Sequence, residues 1–499
     1  MKTPIDRLNV PAADLAESAH KWLLKPGRRL GYMTARVDES DRVVIDTLLL
    51  DTRAGSQTLM SAPLGSGQLE YPSLTRHVPA AHWAERRIGD FFGIQAAGHP
   101  RWKSLILHDD VWPLDQAPLA SKPGRPREPY AFLTVEGEGI HEIPVGPIHA
   151  GIIEPGHFRF SCAGEVIAYL TIRLGYQHRG IEKRLAEVPW QRARFLAESA
   201  ASDTAVGNAL AHATALEQLI GIEAPPRSQH LRTIGLELER VANHIGDLGA
   251  LCGDIGFSAG ASLFAPLRGA VLGLAELVTG SRLQRYYVLP GGVSRDLPDG
   301  SRRKLGKALI QVRGRLAELV PLMLDNPAVL ERMEGTGHLA ASFCRDFGVV
   351  GPAARASGSS YDVRHVFPHG LFPPRAPVVA TRVGGDALCR AQVRADEAFA
   401  SLDLLAELVD DLPDGSIALP CVKERLAPDS VGIGIVEAWR GELIHWVTTR
   451  SDGSIARYAI KDPSFSNWTG LGVAVRGNLV PDFPLCNKSF NLSYSGNDL

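Results

Sequence analysis

Residues 229–255 constrain this chain more than any other stretch. Apolar side chains fall at Leu231, Ile234, Leu238, Val241, Ile245, Leu248, Cys252 and Ile255. This unbroken alternation of threes and fours predicts one long helix with a single packing seam. One residue after the seam runs a set of small side chains, Gly235, Ala242, Gly246, Gly249 and Gly253, which lets a second helix approach closely. One residue before it runs a polar stripe: Glu237, Arg240, His244, Asp247 and Asp254. Two readings of that stripe stand side by side. An amphipathic helix turns its polar face to water. A helix packed on two sides buries it, and buried ionisable groups have shifted pKa values and can relay protons.

The chain has 499 residues, enough for more than one domain and a large core. Lys+Arg number 53 against 55 Asp+Glu, a balance that gives no electrostatic footprint for nucleic acid. Six cysteines (Cys162, Cys252, Cys344, Cys389, Cys421, Cys486) lie far apart with no Cys-x-x-Cys pair. That usage argues against a disulfide framework and suits a reducing compartment. The first residues lack an apolar signal core. Residues 248–278 are apolar but interrupted by Asp254, Arg268 and glycines, so they predict a buried helix pair and no direct membrane span. The chain is expected to be soluble and to meet a membrane only through partners.

The expected fold class is α+β. A small N-terminal α/β domain (residues 1–114) precedes a linker (115–145) and a mainly helical domain with peripheral β-hairpins (146–499). Residues 30–37 and 42–50 are strand-like and flank the turn Asp38-Glu39-Ser40-Asp41. Residues 81–92 have helical spacing and stop at Gly93. Prolines and glycines crowd the linker. Phe158 and Phe160 alternate with Arg159 and Ser161, Ala163-Gly164-Glu165 turns, and residues 166–172 return as a hairpin. Alanine-rich residues 191–220 predict one long helix ending at Gly221. Further helices are expected at 264–283, 302–322 and 387–411, a loop at 355–362, and a hairpin at 443–460 turning at Asp452-Gly453. From residue 461 onward the tail reads as irregular. No Gly-x-Gly-x-x-Gly follows a strand, so direct NADH binding is not expected.

Residues 146–183 carry the densest chemistry. They hold His149, His157, His178, Glu154 and Glu182 among glycines, with His141 just ahead. Histidine titrates near neutrality, and glycine admits close approach of backbone to a ligand.

Several motifs resemble one family. Tyr71-Pro72-Ser73-Leu74-Thr75, residues 83–93 (Trp-Ala-Glu-Arg-Arg-Ile-Gly-Asp-Phe-Phe-Gly) and His108-Asp109-Asp110 resemble the smaller peripheral-arm subunit of respiratory complex I. Residues 146–183, Glu237-Leu-Glu-Arg-Val-Ala-Asn-His244, Leu289-Pro-Gly-Gly-Val293 and Asp462-Pro463-Ser464-Phe465 resemble the complex I quinone-site subunit. They resemble more closely the large subunit of formate-hydrogenlyase-type (group 4) nickel–iron hydrogenases. Fusion of both subunits in one chain is similar to the formate-hydrogenlyase arrangement.

The resemblance also defines departures. The hydrogenases hold nickel and iron on two Cys-x-x-Cys pairs, which by motif fall at Ala201 and Thr204 and at Ser464 and Asn467. All four thiolates are missing, and hydroxyls and amides cannot replace these soft ligands, so a nickel–iron centre is expected to be absent. The remaining cysteines read as small buried hydrophobes. Such a chain looks like the energy-converting-hydrogenase-related complexes. In complex I a quinone headgroup lies between a histidine and a tyrosine, with an acidic residue paired to the histidine. The resemblance puts His157 at the histidine, Asp254 at its acidic partner and Ser202 at the tyrosine, which removes the phenol. Gly156, His157 and Ser202 are then the walls of a quinone-like cavity.

Glu154 stands where hydrogenases keep a proton-moving glutamate; its plainer reading is a carboxylate bonded to nearby backbone amides. Arg179 and Glu182 match a shared motif and read as a buried ion pair fixing a helix start. With His244 and Asp247 they make a structural or proton path. His149 and His178 read as structural.

The resemblance implies a peripheral subunit on the cytoplasmic face of the inner (cell) membrane. Its partners would be a small iron–sulfur subunit, a ferredoxin-like subunit and integral antiporter-like subunits. The chain itself would bind no cofactor beyond a possible quinone, with the iron–sulfur cluster in its partner. Three readings follow: a core subunit of an ion-translocating complex that passes electrons from the partner's iron–sulfur cluster to an acceptor other than protons, such as a quinone, with His157, Glu154 and Asp254 handling protons; a non-catalytic coupling module; and, ranked last, a true hydrogenase.

Overall fold

A computed structural model describes residues 5–120, 124–149, 153–419 and 425–499. Residues 150–152 of the glycine-rich stretch, Lys122 and Pro123 of the linker, and Cys421 lie outside them.

The first part comprises β1 (Ile5–Asn9), α1 (Leu15–Leu23), β2 (Arg28–Val37), β3 (Val43–Asp51), β4 (Ser56–Pro63), β5 (Glu70–Pro72), α2 (His82–Phe92) and β6 (Gln95–Ala97). Strands β1–β4 form one sheet in the order β1-β4-β3-β2, parallel only at the β1–β4 pair. The β2–β3 turn forms because the Asp38 carboxylate accepts the Ser40 and Arg42 N–H groups at 3.0 and 2.9 Å.

A three-stranded antiparallel sheet, β7 (Ile140–Val145), β8 (His157–Ala163) and β9 (Val166–Arg173), opens the second part. The end of the expected linker is therefore a strand, and β7 pairs with β8 along its length. Next come α3 (Ile181–Glu187), α4 (Trp190–Ala197), α5 (Ala205–Ile220), α6 (Pro226–Asp254), α7 (Ser258–Thr279), the short pair β10 (Val288–Leu289) and β11 (Gly292–Val293), and α8 (Ser301–Leu324). After them lie α9 (Pro327–Met333), α10 (Ala341–Phe347), α11 (Gly351–Arg355) and α12 (Ala387–Asp410). The antiparallel sheet β12 (Val431–Ala438), β13 (Gly441–Thr449) and β14 (Ile455–Lys461) precedes α13 (Pro463–Ala474), α14 (Phe483–Phe490) and α15 (Tyr494–Asp498). The mixed architecture matches the expected α+β class.

Helix α6 follows the predicted seam, and every seam residue from Leu231 to Cys252 is buried. Its small stripe receives α7: a Cβ on Gly249 would stand 2.9 Å from that of Phe264. The polar stripe is not a solvent face. Glu237, Arg240, His244 and Asp247 are buried, and Asp254 alone is exposed.

Three expectations need correction. The single helix over 191–220 is two, α4 and α5, because tertiary partners claim the backbone between them. The Arg179 guanidinium donates to the Ser199 and Ala200 carbonyls at 2.7 and 3.0 Å, and the Glu198 carboxylate accepts the Tyr286 N–H. The tail beyond residue 461 is helical: Asp462 caps α13 by accepting from Ser464 N at 2.8 Å, with Pro463 in the first turn. Helix α7 is long and apolar enough to cross a membrane by length and composition, yet only 28% of its most apolar window is buried, so the buried-pair reading holds for α6 alone. The first part also packs against the second through shared apolar residues. Leu48, Trp83, Phe91 and Leu107 share one hydrophobic cluster with Phe158, Trp446, Phe465 and Trp468. Phe465 of α13 meets Tyr32 of β2 and Trp83 of α2 edge-on, at 5.8 and 5.7 Å between ring centroids.

Candidate functional site

Where the second sheet meets the helices lies a cavity of about 260 Å³. Glu154 lines it from the segment before β8. Tyr176, Gln177, His178 and Arg179 line it from the β9–α3 connection, Ser199 and Ser202 from the α4–α5 break, and Ser495 from α15. Four chain segments far apart in sequence close the space, and hydrogen bonds fix each. Glu154 accepts the N–H groups of Tyr494 and Ser495 at 3.1 and 3.4 Å. Arg179 holds the α4–α5 break through the carbonyls already named and reaches the Ser495 carbonyl at 3.5 Å. His178 Nδ1 donates to the Asp498 carbonyl at 2.9 Å, while Gln177 N donates to the Asp498 carboxylate at 2.9 Å. Burial pushes that carboxyl up to about 6.

Beside Ser202, burial works to raise the Asp203 carboxyl. Its bidentate pair with Arg440, at 2.7 and 2.6 Å, outweighs this and holds it below the usual range. Arg440 also donates to the Asn491 carbonyl at 2.5 Å, and Asn491 Nδ2 donates to Asp247 of α6 at 2.5 Å. Asp247 pairs with Arg394 of α12 at 3.0 Å. One turn away His244 meets Glu397 at 2.9 Å, and Glu397 meets Arg355 at 2.7 Å. A string of polar contacts thus joins Asp203, next to Ser202 of the cavity wall, to the buried α6 stripe.

His157 begins β8 and is 8% exposed. Its Nδ1 lies 3.2 Å from the Gly146 carbonyl, which can only accept, so Nδ1 carries the proton. Nε2 is then a lone-pair acceptor, and it is buried with no partner among the described residues. Burial, with Arg159 and Arg173 close by, lowers the imidazole's affinity for a second proton. Gly156 precedes it at a close approach: a Cβ there would stand 2.6 Å from the Tyr494 ring.

The structure gathers Glu154, Arg179 and Ser202 around the cavity and sets Gly156 and His157 on the adjoining strand start. It separates others. Arg179 and Glu182 do not pair. Gly180 turns the chain between them, and Glu182, in the first turn of α3, faces Arg457 at 2.7 Å and Arg87 at 3.3 Å. Asp254 is at the exposed end of α6, where burial raises its carboxyl and Lys488 partly offsets this; the charged groups around His157 are Arg159, Arg173 and Asp110. Ser464 and Asn467 are buried in α13, bonded to Ser493 N and Val350 N, and do not line the cavity. From the tail it is instead Ser495 that lines the cavity with Ser199 and Ser202. Sequence reasoning missed Tyr176, Gln177, Ser199 and Ser495. The run Ser493-Tyr494-Ser495-Gly496 was the available signal, a Ser cap that accepts from Gly496 N.

The cavity presents hydroxyls, an amide, an imidazole, a phenol, a guanidinium and one carboxylate, and no thiol. Cys162, Cys252, Cys344 and Cys486 are buried elsewhere and Cys389 is half-buried on α12. This donor set does not fit a nickel–iron pair, which needs thiolates. It does fit a polar ring ligand, with the Tyr176 phenol on its wall and the orphaned imidazole of His157 on the strand that starts three residues after Glu154.

Residues 9–123 match the respiratory-chain NADH dehydrogenase 30 Kd subunit, and residues 254–431 match the 49 Kd subunit. Formate hydrogenlyase subunit 5 of Escherichia coli (strain K12) is 35% identical over 446 residues, covering 86% of this chain and 77% of the relative. The chain belongs to the fused complex I–formate hydrogenlyase subunit family. Hydrogenase-4 component G of the same organism is 34% identical, covering 88% of the chain and 78% of the relative. The C/D subunit of the NADH-quinone oxidoreductase of Phocaeicola vulgatus is 28% identical, covering 90% and 91%. Within this family, residues 154–202 and Ser495, which build the cavity, fall outside both matched stretches.

Proposed function

We propose that this chain is a peripheral, cytoplasm-facing core subunit of a membrane-bound, ion-translocating redox complex. It would exchange electrons between a ring-shaped acceptor or donor of the quinone class and an iron–sulfur cluster in a small partner subunit. A ferredoxin-like subunit and antiporter-like membrane subunits complete the expected assembly. The observation that carries the reading is the unpartnered, buried Nε2 of His157, three residues along the chain from Glu154, which lines a thiol-free polar cavity.

A quinone, when bound, supplies coupled electron and proton exchange at its ring oxygens. His157 presents a lone pair, held in that state by the Gly146 bond, so it receives a hydroxyl more readily than a carbonyl. It therefore matches the reduced, hydroxyl-bearing ring at rest and takes up its proton. Tyr176, whose phenol burial keeps protonated, stands on the cavity wall as a donor in place of the tyrosine missing at Ser202. Glu154 sits on the same wall and offers a path for the proton to the open side of the cavity. Asp254, far from these groups by its contacts, has no part in this scheme.

The test is hydroquinone-dependent reduction of the partner's cluster in the purified complex, followed by its electron paramagnetic resonance signal. His157→Ala should abolish it, with the exposed turn variant Glu165→Gln unaffected. Equal rates in both would overturn the reading. A second reading, a coupling module without chemistry, is favoured by the polar string from Asp203 to Arg355. On that reading His157→Ala keeps electron transfer and loses ion transport. The hydrogenase reading ranks last because the cavity offers no thiolate.

A further inference from the structure

The linker contributes a strap over His157. Residues 129–132 (Pro-Tyr-Ala-Phe) have no regular secondary structure, yet their two rings are seated among charged and aromatic partners. The Phe132 ring stands edge-on to the His157 ring, 5.6 Å between centroids and 70° between planes. The Arg159 guanidinium lies 3.7 Å over its face. Tyr130 packs against Phe132 at 4.9 Å and against His108 at 5.3 Å, under Arg173 at 5.3 Å. The strap is tied by Lys103 Nζ donating to the Ala131 carbonyl and by Tyr130 N donating to Asp109 at 3.2 Å.

Two observations do not suit a merely structural strap. The polar atoms beneath it are left unpaired: His157 Nε2, His108 Nδ1, and the Nε atoms of Arg159 and Arg173 are buried without partners among the described residues. A cover that orphans so many donors and acceptors forfeits hydrogen bonds that a polar ligand would restore. Its backbone hydrogen bonds among the described residues are also few, one carbonyl and one N–H, on a segment half-exposed to water.

We propose that Phe132 is a built-in plug. It fills the slot beside His157 that a hydroxylated aromatic ring takes, and the strap must swing out before such a ring reaches Nε2. The slot suits that ligand class because Arg159 and Arg173 already stack on aromatic faces, and the four orphaned atoms await polar groups on a ring's edge. This proposal rests on the quinone-class reading of the site. A plug lowers apparent affinity by the fraction of time the strap is open.

The test uses the full chain. The rate of His157 carbethoxylation, read by peptide mass spectrometry, reports the cover without any ligand. Equilibrium dialysis of a tail-less benzohydroquinone reports the slot. Phe132→Ala should raise the modification rate several-fold and tighten hydroquinone binding by about tenfold if the strap is open a tenth of the time. Lys103→Ala, which releases the strap and leaves both rings in place, should move both readouts the same way. The double variant Phe132→Ala/His157→Ala should lose the gain in binding. An unchanged modification rate in both Phe132→Ala and Lys103→Ala, with native melting, would overturn the plug while leaving the site reading intact. A faster rate with no hydroquinone binding in any variant would instead sink the ring-ligand reading, and with it the competition proposed here.

Discussion

The carboxylate of Glu154 accepts the backbone N–H groups of Tyr494 and Ser495, so a side chain ahead of β8 caps a helix 340 residues further along the chain. The bond is at once structural, closing the cavity, and chemical, because the same carboxylate lines it. The two roles separate by substitution. Glu154→Ala should lower stability by roughly 1 kcal/mol, the usual cost of a lost helix cap. Glu154→Gln keeps an acceptor oxygen and should melt close to wild type, yet slow turnover of the assembled complex. Equal loss of turnover and of melting temperature in Glu154→Gln would leave only the structural role.

Glu182 sits between two buried guanidiniums, Arg457 and Arg87. Burial favours its neutral form, but those charges prevail and hold the carboxyl below its usual range. Glu182→Gln should therefore cost about 3–5 kcal/mol in urea unfolding, because two buried cations lose their counter-charge. A double-mutant cycle should find strong coupling between Glu182 and Arg457 and almost none between Glu182 and Arg179.

Asp498 makes stability fall as pH rises. Burial lifts its carboxyl from 3.8 to about 6, so between those values the folded chain binds more protons than the unfolded chain. The stabilisation is complete below the unfolded pKa and is lost as pH climbs through about 6. A shift of this size is worth on the order of 2–3 kcal/mol. Urea midpoints measured from pH 4 to pH 7 should show a decline in wild type that Asp498→Asn makes shallower, the remainder coming from Glu239 and Glu437, which burial raises to about 8 and about 7; parallel curves would remove Asp498 as a source.

Purified native complex should contain nickel far below one atom per chain by mass spectrometry of the metal. Hydroxyls of Ser199, Ser202 and Ser495 stand around the cavity, with no thiol to hold the soft pair. Nickel approaching one per chain would reverse this conclusion and bring the hydrogenase reading forward.

Local pattern revealed some of this architecture and long-range closure hid the rest. β2, β3 and α6 were legible because alternation, a turn-forming Asp38 and a three-four seam act within a few residues. The break between α4 and α5 was not, since Arg179 and Tyr286 impose it from other segments. The tail helices α13 and α15 begin with short caps, Asp462-Pro463 and Ser493, that read as turns when their packing is unseen. The polar stripe of α6 could not be assigned from sequence, because its burial depends on α12 supplying Arg394 and Glu397. Of the residues singled out by motif, Glu154, Arg179 and Ser202 line the candidate cavity. Tyr176, Ser199 and Ser495 carry no local signature and matter only because four segments of chain converge.

The joint at Phe465, where rings from β2, α2 and α13 interlock, has a consequence for assembly. Units that match two separate subunit families here share one continuous interior. Covalent linkage makes their association intramolecular, so it is insensitive to dilution and always of equal stoichiometry. Neither half can be withdrawn without exposing the apolar faces it lends the other. Biogenesis therefore has one docking event fewer to order.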